Sequence, residues 1–197
     1  MVEPFVTSDH HLFHTNIIKY CNRPFVDVDE MHKFMIEEWN SVVTPDDIVI
    51  HLGDYICGGT FDQVKEITEQ LNGTKILITG NHDRKGKQWF KDAGFHRVFK
   101  HRWSIGMYCF SHRVQDADYL KETDTRYNLH GHSHKFDYGD PFYNFGVDVV
   151  GYRPIKVKIN LDKEDLLNGE GRCVSDPFID YKHGKLRKHT SNGYVDS

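Results

Sequence analysis

The sequence is poor in cysteine. Four stand far apart in 197 residues, Cys21, Cys57, Cys109 and Cys173, with no Cys-x-x-Cys pair among them. That excludes a zinc ribbon and a thioredoxin-like redox motif, and leaves free thiols in a reducing compartment as the expectation. No apolar run approaches the roughly 20 residues that a bilayer crossing needs, so no membrane partner is expected. Neither sign of charge is in large excess: 25 Lys and Arg face 29 Asp and Glu, for a net charge of −4. Binding to nucleic acid or to an anionic membrane through bulk charge is therefore disfavoured, although a local basic pocket is not excluded. The opening Met1-Val2-Glu3-Pro4 lacks the pattern of a secretory signal, and the expected compartment is the cytosol. There is no internal repeat and no low-complexity tract.

What the sequence does have is histidine, 14 in all, much of it clustered beside Asp and Gly. Histidine gathered with carboxylates points to metal or acid–base chemistry.

The length suits one domain with a tail, read as residues 1–161 and an irregular extension over 162–197. Phe5 to Ser8, Ile48 to Leu52 and Lys75 to Thr79 are apolar runs that read as buried strands, each ending in a polar loop. Asp29 to Val43 is amphipathic at helical spacing, and Thr60 with Gln63 fits a capping box that opens another helix, stopped by Gly73. This succession predicts an α/β sheet with parallel strands. In the second half, Trp103–Ile105 and Met107–Phe110 flank Gly106 like a hairpin. Tyr127–Leu129, Phe142–Val150 and Ile155–Leu161 read as strands, with more antiparallel strands expected here than in the first half, and Leu161–Leu167 as a short helix.

Five polar clusters follow five of these strands: Asp9-x-His11, Gly53-Asp54, Gly80-Asn81-His82-Asp83, His112, and Gly131-His132-x-His134. Ligands of open α/β sheets bind at the carboxyl ends of the strands, so the five loops can converge on one site. Asp and His supply the donors that Mn, Fe, Zn or Ni favour, without any thiol. Asp9 and His11, two apart on an extended segment, would point the same way, as would His132 and His134. Glycine beside the ligands would let the backbone come close to an ion or a phosphate.

In this order and completeness, the motifs D-x-H, GD, GNH-D, H and G-H-x-H resemble those of the calcineurin-like metallophosphoesterases, over about residues 5–160. Thr7–Phe25, Asp46–Asp54 and Asn144–Pro154 resemble small bacterial and phage members. The resemblance implies an α/β/β/α sandwich of two packed mixed sheets with outer helices. It implies two divalent ions, Mn foremost and Fe, Zn or Ni as alternatives. Asp9, His11 and His134 would hold one ion, Asn81, His112 and His132 the other, with Asp54 bridging. His82 would lie by the substrate phosphate as the catalytic group, with Asp83 orienting it, and the nucleophile would be a water or hydroxide held by the metals. Protein Ser/Thr phosphatases carry an Asp and an Arg where this chain has Cys57 and Gly58, which disfavours that class.

Four residues near the motifs are candidates for contact with substrate: His14, Arg84, Arg113 and Arg153. His10, His51 and His130 adjoin the motifs and are expected to hydrogen-bond or pack. The expected activity is metal-dependent hydrolysis of a small nucleotide-like phosphate ester, such as a cyclic nucleotide. Alternatives are a nuclease or nucleic-acid end-processing phosphatase, and a non-catalytic scaffold on the same fold. The C-terminal cluster of Lys182, Lys185, Arg187 and Lys188 reads as a solvated tail.

Overall fold

Alternation along the first strands sends their side chains into two separate cores. In the computed structural model, which describes residues 2–170 and the backbone of the strands 179–181, 187–190 and 193–196, four strands lie parallel. They are β1 (Phe5–Thr7), β2 (Ile48–His51), β3 (Thr74–Thr79) and β4 (Arg97–Lys100). Val6, Ile48, Ile50, Ile76 and Ile78 face one side of this sheet, and Phe5, Val49, Leu77 and Val98 face the other, as the two-residue period of a strand requires. Helices α1 (Thr15–Tyr20) and α2 (Val28–Asn40) connect β1 to β2, α3 (Phe61–Gln70) connects β2 to β3, and α4 (Lys87–Asp92) connects β3 to β4. Trp39 of α2, Val64 and Ile67 of α3 and Phe90 of α4 cover the Phe5–Val49–Leu77 face.

The other face packs on a second sheet, built from β5 (Arg102–Ile105), β6 (Tyr108–Ser111), β7 (Tyr127–His130) and β8 (Phe142–Asn144). Trp103, Ile105, Tyr108, Phe110 and Leu129 of that sheet share one buried core with the inward residues of the first. Strand β9 (Ile155–Ile159) runs antiparallel to β1, which makes the first sheet mixed, and β10 (Ile179–Tyr181) extends it in the order β10-β9-β1-β2-β3-β4. Strands β11 (Arg187–Thr190) and β12 (Gly193–Asp196) pair with each other. The fold is thus α/β, two packed mixed sheets with helices.

The capping box is present at α3, Thr60 Oγ1 accepting from the Gln63 N–H and the Gln63 side chain from the Thr60 N–H. The hairpin around Gly106 is also present. The second half does bring in the antiparallel pairs, β5·β6, β9·β1 and β10·β9, while β6·β7 and β7·β8 of the second sheet run parallel. A crossover returns the chain between β6 and β7 through the six-residue helix α5 (Ala117–Glu122), and parallel pairing needs such a crossover. Contrary to expectation, Phe142–Val150 is not one strand. It breaks after Asn144, and Val147–Val150 form the helical turn α6. A short apolar run cannot separate the two states by itself; here the Val147 N–H bonds to Ser8 O and bends the chain toward the β1 loop.

Helix α7 (Lys163–Asn168) follows β9, and its Leu166 is buried in the inter-sheet core although it lies beyond the expected boundary at 161. The side chains of the basic C-terminal cluster lie outside the described residues.

Candidate metal centre

All five polar clusters leave the carboxyl ends of strands on one edge of the two sheets: β1, β2 and β3 of the first, β6 and β7 of the second. The loops after β1 and β2 stay zipped together past the strand ends. Asp9 N–H bonds to Gly53 O, His11 N–H to Asp54 O, Leu12 N–H to Tyr55 O and Cys57 N–H to Leu12 O.

The backbone there is not extended, contrary to expectation. Asp9, His11, Asp54 and His132 all have positive φ, 62°, 53°, 51° and 66°. Non-glycine residues rarely adopt this region, and such strain gathers at functional sites. The turns, rather than strand periodicity, aim these side chains inward. Close backbone approach does depend on glycine: a Cβ at Gly80 would collide with Asp54 Oδ1, and one at Gly131 with Ser8 Oγ and Asp9 Oδ2.

Four groups of donors lie together among the described residues; two of them, His11–Asp54–His82 and Cys21–His134–Asp148, overlap with the other two, Asp9–His11–His134 and Asp54–His112–His132, which correspond to the expected sets. In the first, His11 Nε2 is 3.3 Å from His134 Nε2, and each lies 3.9 Å from Asp9 Oδ1. In the second, His112 Nε2 is 3.1 Å from His132 Nδ1, 3.1 Å from Asn81 Oδ1 and 3.3 Å from Asp54 Oδ2. Asp54 Oδ2 is also 3.5 Å from His11 Nε2, so one oxygen stands between the groups. Donors bound to one ion at about 2.0–2.2 Å sit roughly 3–3.6 Å from each other; the His–His, His112–Asn81 and His–Asp54 distances fall in that range, and the two distances to Asp9 Oδ1 are somewhat longer. Asp9 Oδ2 accepts from His132 N–H at 2.8 Å, whereas Asp9 Oδ1, fully buried, accepts no hydrogen bond. A buried carboxylate oxygen without a donor calls for a cation. The residues therefore fit two divalent ions in the ligand sets that the motifs imply.

The charges agree. Asp54 is buried, which disfavours its charge, yet His112, the His82 N–H and His11 hold its carboxyl down at about 2. Burial pushes Asp9 up, with His112 and His134 opposing. Burial lowers His132 to about 4, helped by His112 and by the exposed Arg113. Burial also opposes charge on His134, but the Asp148 carboxylate, 2.6 Å from Nδ1, raises that ring to about 10. Asp148 accepts the His134 Nδ1–H, which orients the ring and leaves Nε2 facing Asp9 and His11, the usual arrangement behind a metal-binding imidazole, which coordinates in its neutral form.

Asp148 is itself clamped by Arg23, Nε and Nη2 each donating at 2.8 Å. The same guanidinium donates to the backbone carbonyls of Asp9 and His10, at 2.7 and 2.9 Å. Arg23 and Asp148 were not singled out from sequence. The signal available was a single Asp within Asn144–Pro154 and a single Arg within Thr7–Phe25; their pairing spans 125 positions.

His82 lines the cleft above the donors, its side chain 32% exposed and its Nε2 4.0 Å from Asp54 Oδ2. Its backbone N–H donates to Asp54 Oδ1 at 2.8 Å. Its Nδ1 faces Cys57 Sγ at 3.1 Å. Asp83, expected to orient His82, is instead buried beneath the loop. Its oxygens accept from Gly80 N–H at 2.9 Å and Ile56 N–H at 3.1 Å, and burial raises its carboxyl to about 6. It braces the β3 loop against the β2 loop.

Of the four substrate candidates, His14 lines the cleft, its ring 5.7 Å from that of His82. Arg153 does not: it is committed to Glu38, at 2.9 Å from Nε and 2.7 Å from Nη2. Arg84 and Arg113 are exposed and do not line the cleft. His10, His51 and His130 are buried: His10 bonds to His51, and His130 Nδ1 lies 2.9 Å from Gly131 O.

The chain is similar to several known proteins. Protein MJ1445 of Methanocaldococcus jannaschii, itself uncharacterized, is 35% identical over 164 residues, 79% of this chain and 87% of that one. The crystal structure of AQ665 from Aquifex aeolicus, a protein of unknown function, superposes with a TM-score of 0.64 at 22% identity, over 79% of this chain and 96% of that one. Nuclease MPE of Pseudomonas putida superposes with a TM-score of 0.46 at 16% identity, over 78% and 68%. Residues 5–142 match the calcineurin-like phosphoesterase superfamily domain. A match over that much of the sequence makes the chain a member of the calcineurin-like phosphoesterase superfamily, and a metal-dependent phosphoesterase.

Proposed function

We propose that the protein is a two-metal hydrolase of small nucleotide-like phosphate esters, a phosphodiesterase or phosphatase working in the cytosol, with Mn as the favoured ion. The observation that carries this reading is the cleft over the donor cluster. It has a volume of about 650 Å³ and is floored by His11, Asp54, Asn81, His132 and His134. That is the size of a small-molecule site. A long polyanion would want a basic surface, and among the described residues Lys135 is the one Lys or Arg in the lining.

Asp9, His11 and His134 would hold one ion and Asn81, His112 and His132 the other, with Asp54 shared. Divalent ions bound there polarise phosphoryl oxygens and lower the pKa of water. His82 acts from the open side. Burial raises the Cys57 thiol, which keeps its proton and donates to His82 Nδ1. The His82 proton then sits on Nε2, toward the cleft, where it donates to a phosphoryl or leaving oxygen.

The test is hydrolysis of bis(4-nitrophenyl) phosphate by the full chain with added Mn. Turnover is expected, and His82→Ala should lose about 10²–10⁴-fold in kcat while metal content by elemental analysis stays at two ions per chain. Unchanged turnover in His82→Ala would remove His82 from its role. A screen of nucleotide monoesters and of 2′,3′-, 3′,5′- and dinucleotide cyclic diesters with several metals then ranks the substrates.

A further inference from the structure

Four large apolar side chains stand open to solvent among the described residues: Tyr20 at 66% exposure, Val26 at 89%, Phe136 at 66% and Tyr138 at 52%. Three of the four line the one cleft above the donors. Single exposed aromatics are ordinary, but three gathered at one opening mark a binding surface.

They come from two separate stretches of chain. Tyr20 ends α1, and Phe136 and Tyr138 follow the His132–His134 loop. The Tyr20 ring meets the His14 ring edge-on at 6.0 Å, and His14 in turn lies 5.7 Å from His82. A file of rings thus leads from solvent to the catalytic group. On the other side, Tyr138 Oη is 3.3 Å from Ser133 Oγ, and its ring is 5.5 Å from that of buried His130. The buried Asn144 amide donates to both Ser133 O and Phe136 O, which holds this loop in shape.

We infer that Tyr20, Phe136 and Tyr138 form a nucleobase subsite, in which the base of a nucleoside phosphate ester stacks while its phosphate lies beside His82. The chemistry of the lining selects that occupant. An acyl chain would call for aliphatic side chains, and Ile17 is the one Leu, Ile, Val or Met there. Aromatic faces with hydroxyl groups at their edges suit a flat ring with polar edges. The inference rests on the phosphoesterase reading and adds to it what the rest of the substrate must be.

The experiment compares thymidine 5′-(4-nitrophenyl phosphate) with methyl 4-nitrophenyl phosphate, using the metal-loaded full chain. The leaving group is the same, and only one ester carries a nucleoside. The wild type should favour the nucleoside ester in kcat/KM. Tyr20→Ala and Phe136→Ala should each cut that preference by about 5- to 100-fold, the worth of one stacking contact, and Tyr20→Phe should keep it. In parallel, the alanine variants should bind adenosine 5′-monophosphate more weakly by calorimetry. Equal kcat/KM for the two esters, or a preference unmoved by both alanine variants, overturns the subsite. Failure to cleave either diester, and the monoester 4-nitrophenyl phosphate as well, with any divalent metal overturns the proposed hydrolase reading itself.

Discussion

At the residue scale, the chemistry turns on which nitrogen of His82 carries the proton. The partner of the ring is the Cys57 thiol, 3.1 Å from Nδ1 and only partly buried. A protonated thiol that donates to Nδ1 would favour the tautomer with the proton on Nε2, toward the cleft. Cys57→Ala removes that donor and frees the ring, whereas Cys57→Ser retains a hydroxyl donor. One neutral hydrogen bond is worth about 0.5–1.5 kcal/mol, so kcat on bis(4-nitrophenyl) phosphate should fall roughly 2- to 12-fold in Cys57→Ala and recover in large part in Cys57→Ser. KM and metal content should hold steady in both. Equal kcat in Cys57→Ala and the wild type would show that the thiol has no part in positioning His82.

At the element scale, the site is made by loops that touch at backbone distance. Gly131 sits where the β7 loop passes over the β1 loop, with no room for a methyl group between it and the Asp9 carboxylate. Gly131→Ala should therefore push Asp9 out of line, cost about 1–3 kcal/mol in urea unfolding and release one or both ions, read as metal per chain after dialysis. A variant that keeps two ions and full stability would mean that the loops can part without harm. This also explains what the sequence could tell. The ligands were legible because each motif is local: Gly-Asp or Gly-His-x-His states both the turn and the donor within four residues. The first strands were legible as short apolar runs that end in polar loops, and α3 from its Thr60–Gln63 cap and apolar face. Six-residue helices are too short to show a full period: α7 was legible only as a short helix, and α4 and α5 were not recognised as elements. The Arg23–Asp148–His134 chain was not legible, because the pairing exists only once β1, α6 and the β7 loop have met. Arg153 misled for the same reason: beside a motif in sequence, it is paired with Glu38 of α2 in space.

At the scale of the whole molecule, the floor beneath the metal centre sets how the protein meets acid. His51 Nδ1 accepts from the Gly53 N–H at 3.1 Å, so its proton is on Nε2, which donates to His10 Nδ1 at 2.9 Å. His10 in turn carries its proton on Nε2, which has no polar partner and belongs to a ring standing edge-on to Trp39 at 5.6 Å. No acceptor is left for a further proton. Burial, with the Arg23 charge adding, lowers His10 to about 3, and burial with His10 beside it drives His51 well below the usual histidine range. In the unfolded chain both titrate near 6.5. Their neutral state thus contributes stability that is present above about pH 6.5 and is lost as pH falls toward the folded values, because the unfolded chain takes up protons that the folded one refuses. Each ring contributes a slope of about 1.4 kcal/mol per pH unit across that window. His10→Asn keeps an oxygen acceptor for His51 Nε2–H and removes one titrating ring. In metal-free protein, the unfolding free energy of this variant between pH 6 and 4.5 should fall less steeply than that of the wild type by about 1.4 kcal/mol per pH unit, whatever its stability at neutral pH. Equal slopes would mean that His10 is protonated in the fold. Since His10 lies between Asp9 and His11, and His51 holds the Gly53 N–H that precedes Asp54, acid that charges this pair loosens both ligand loops together.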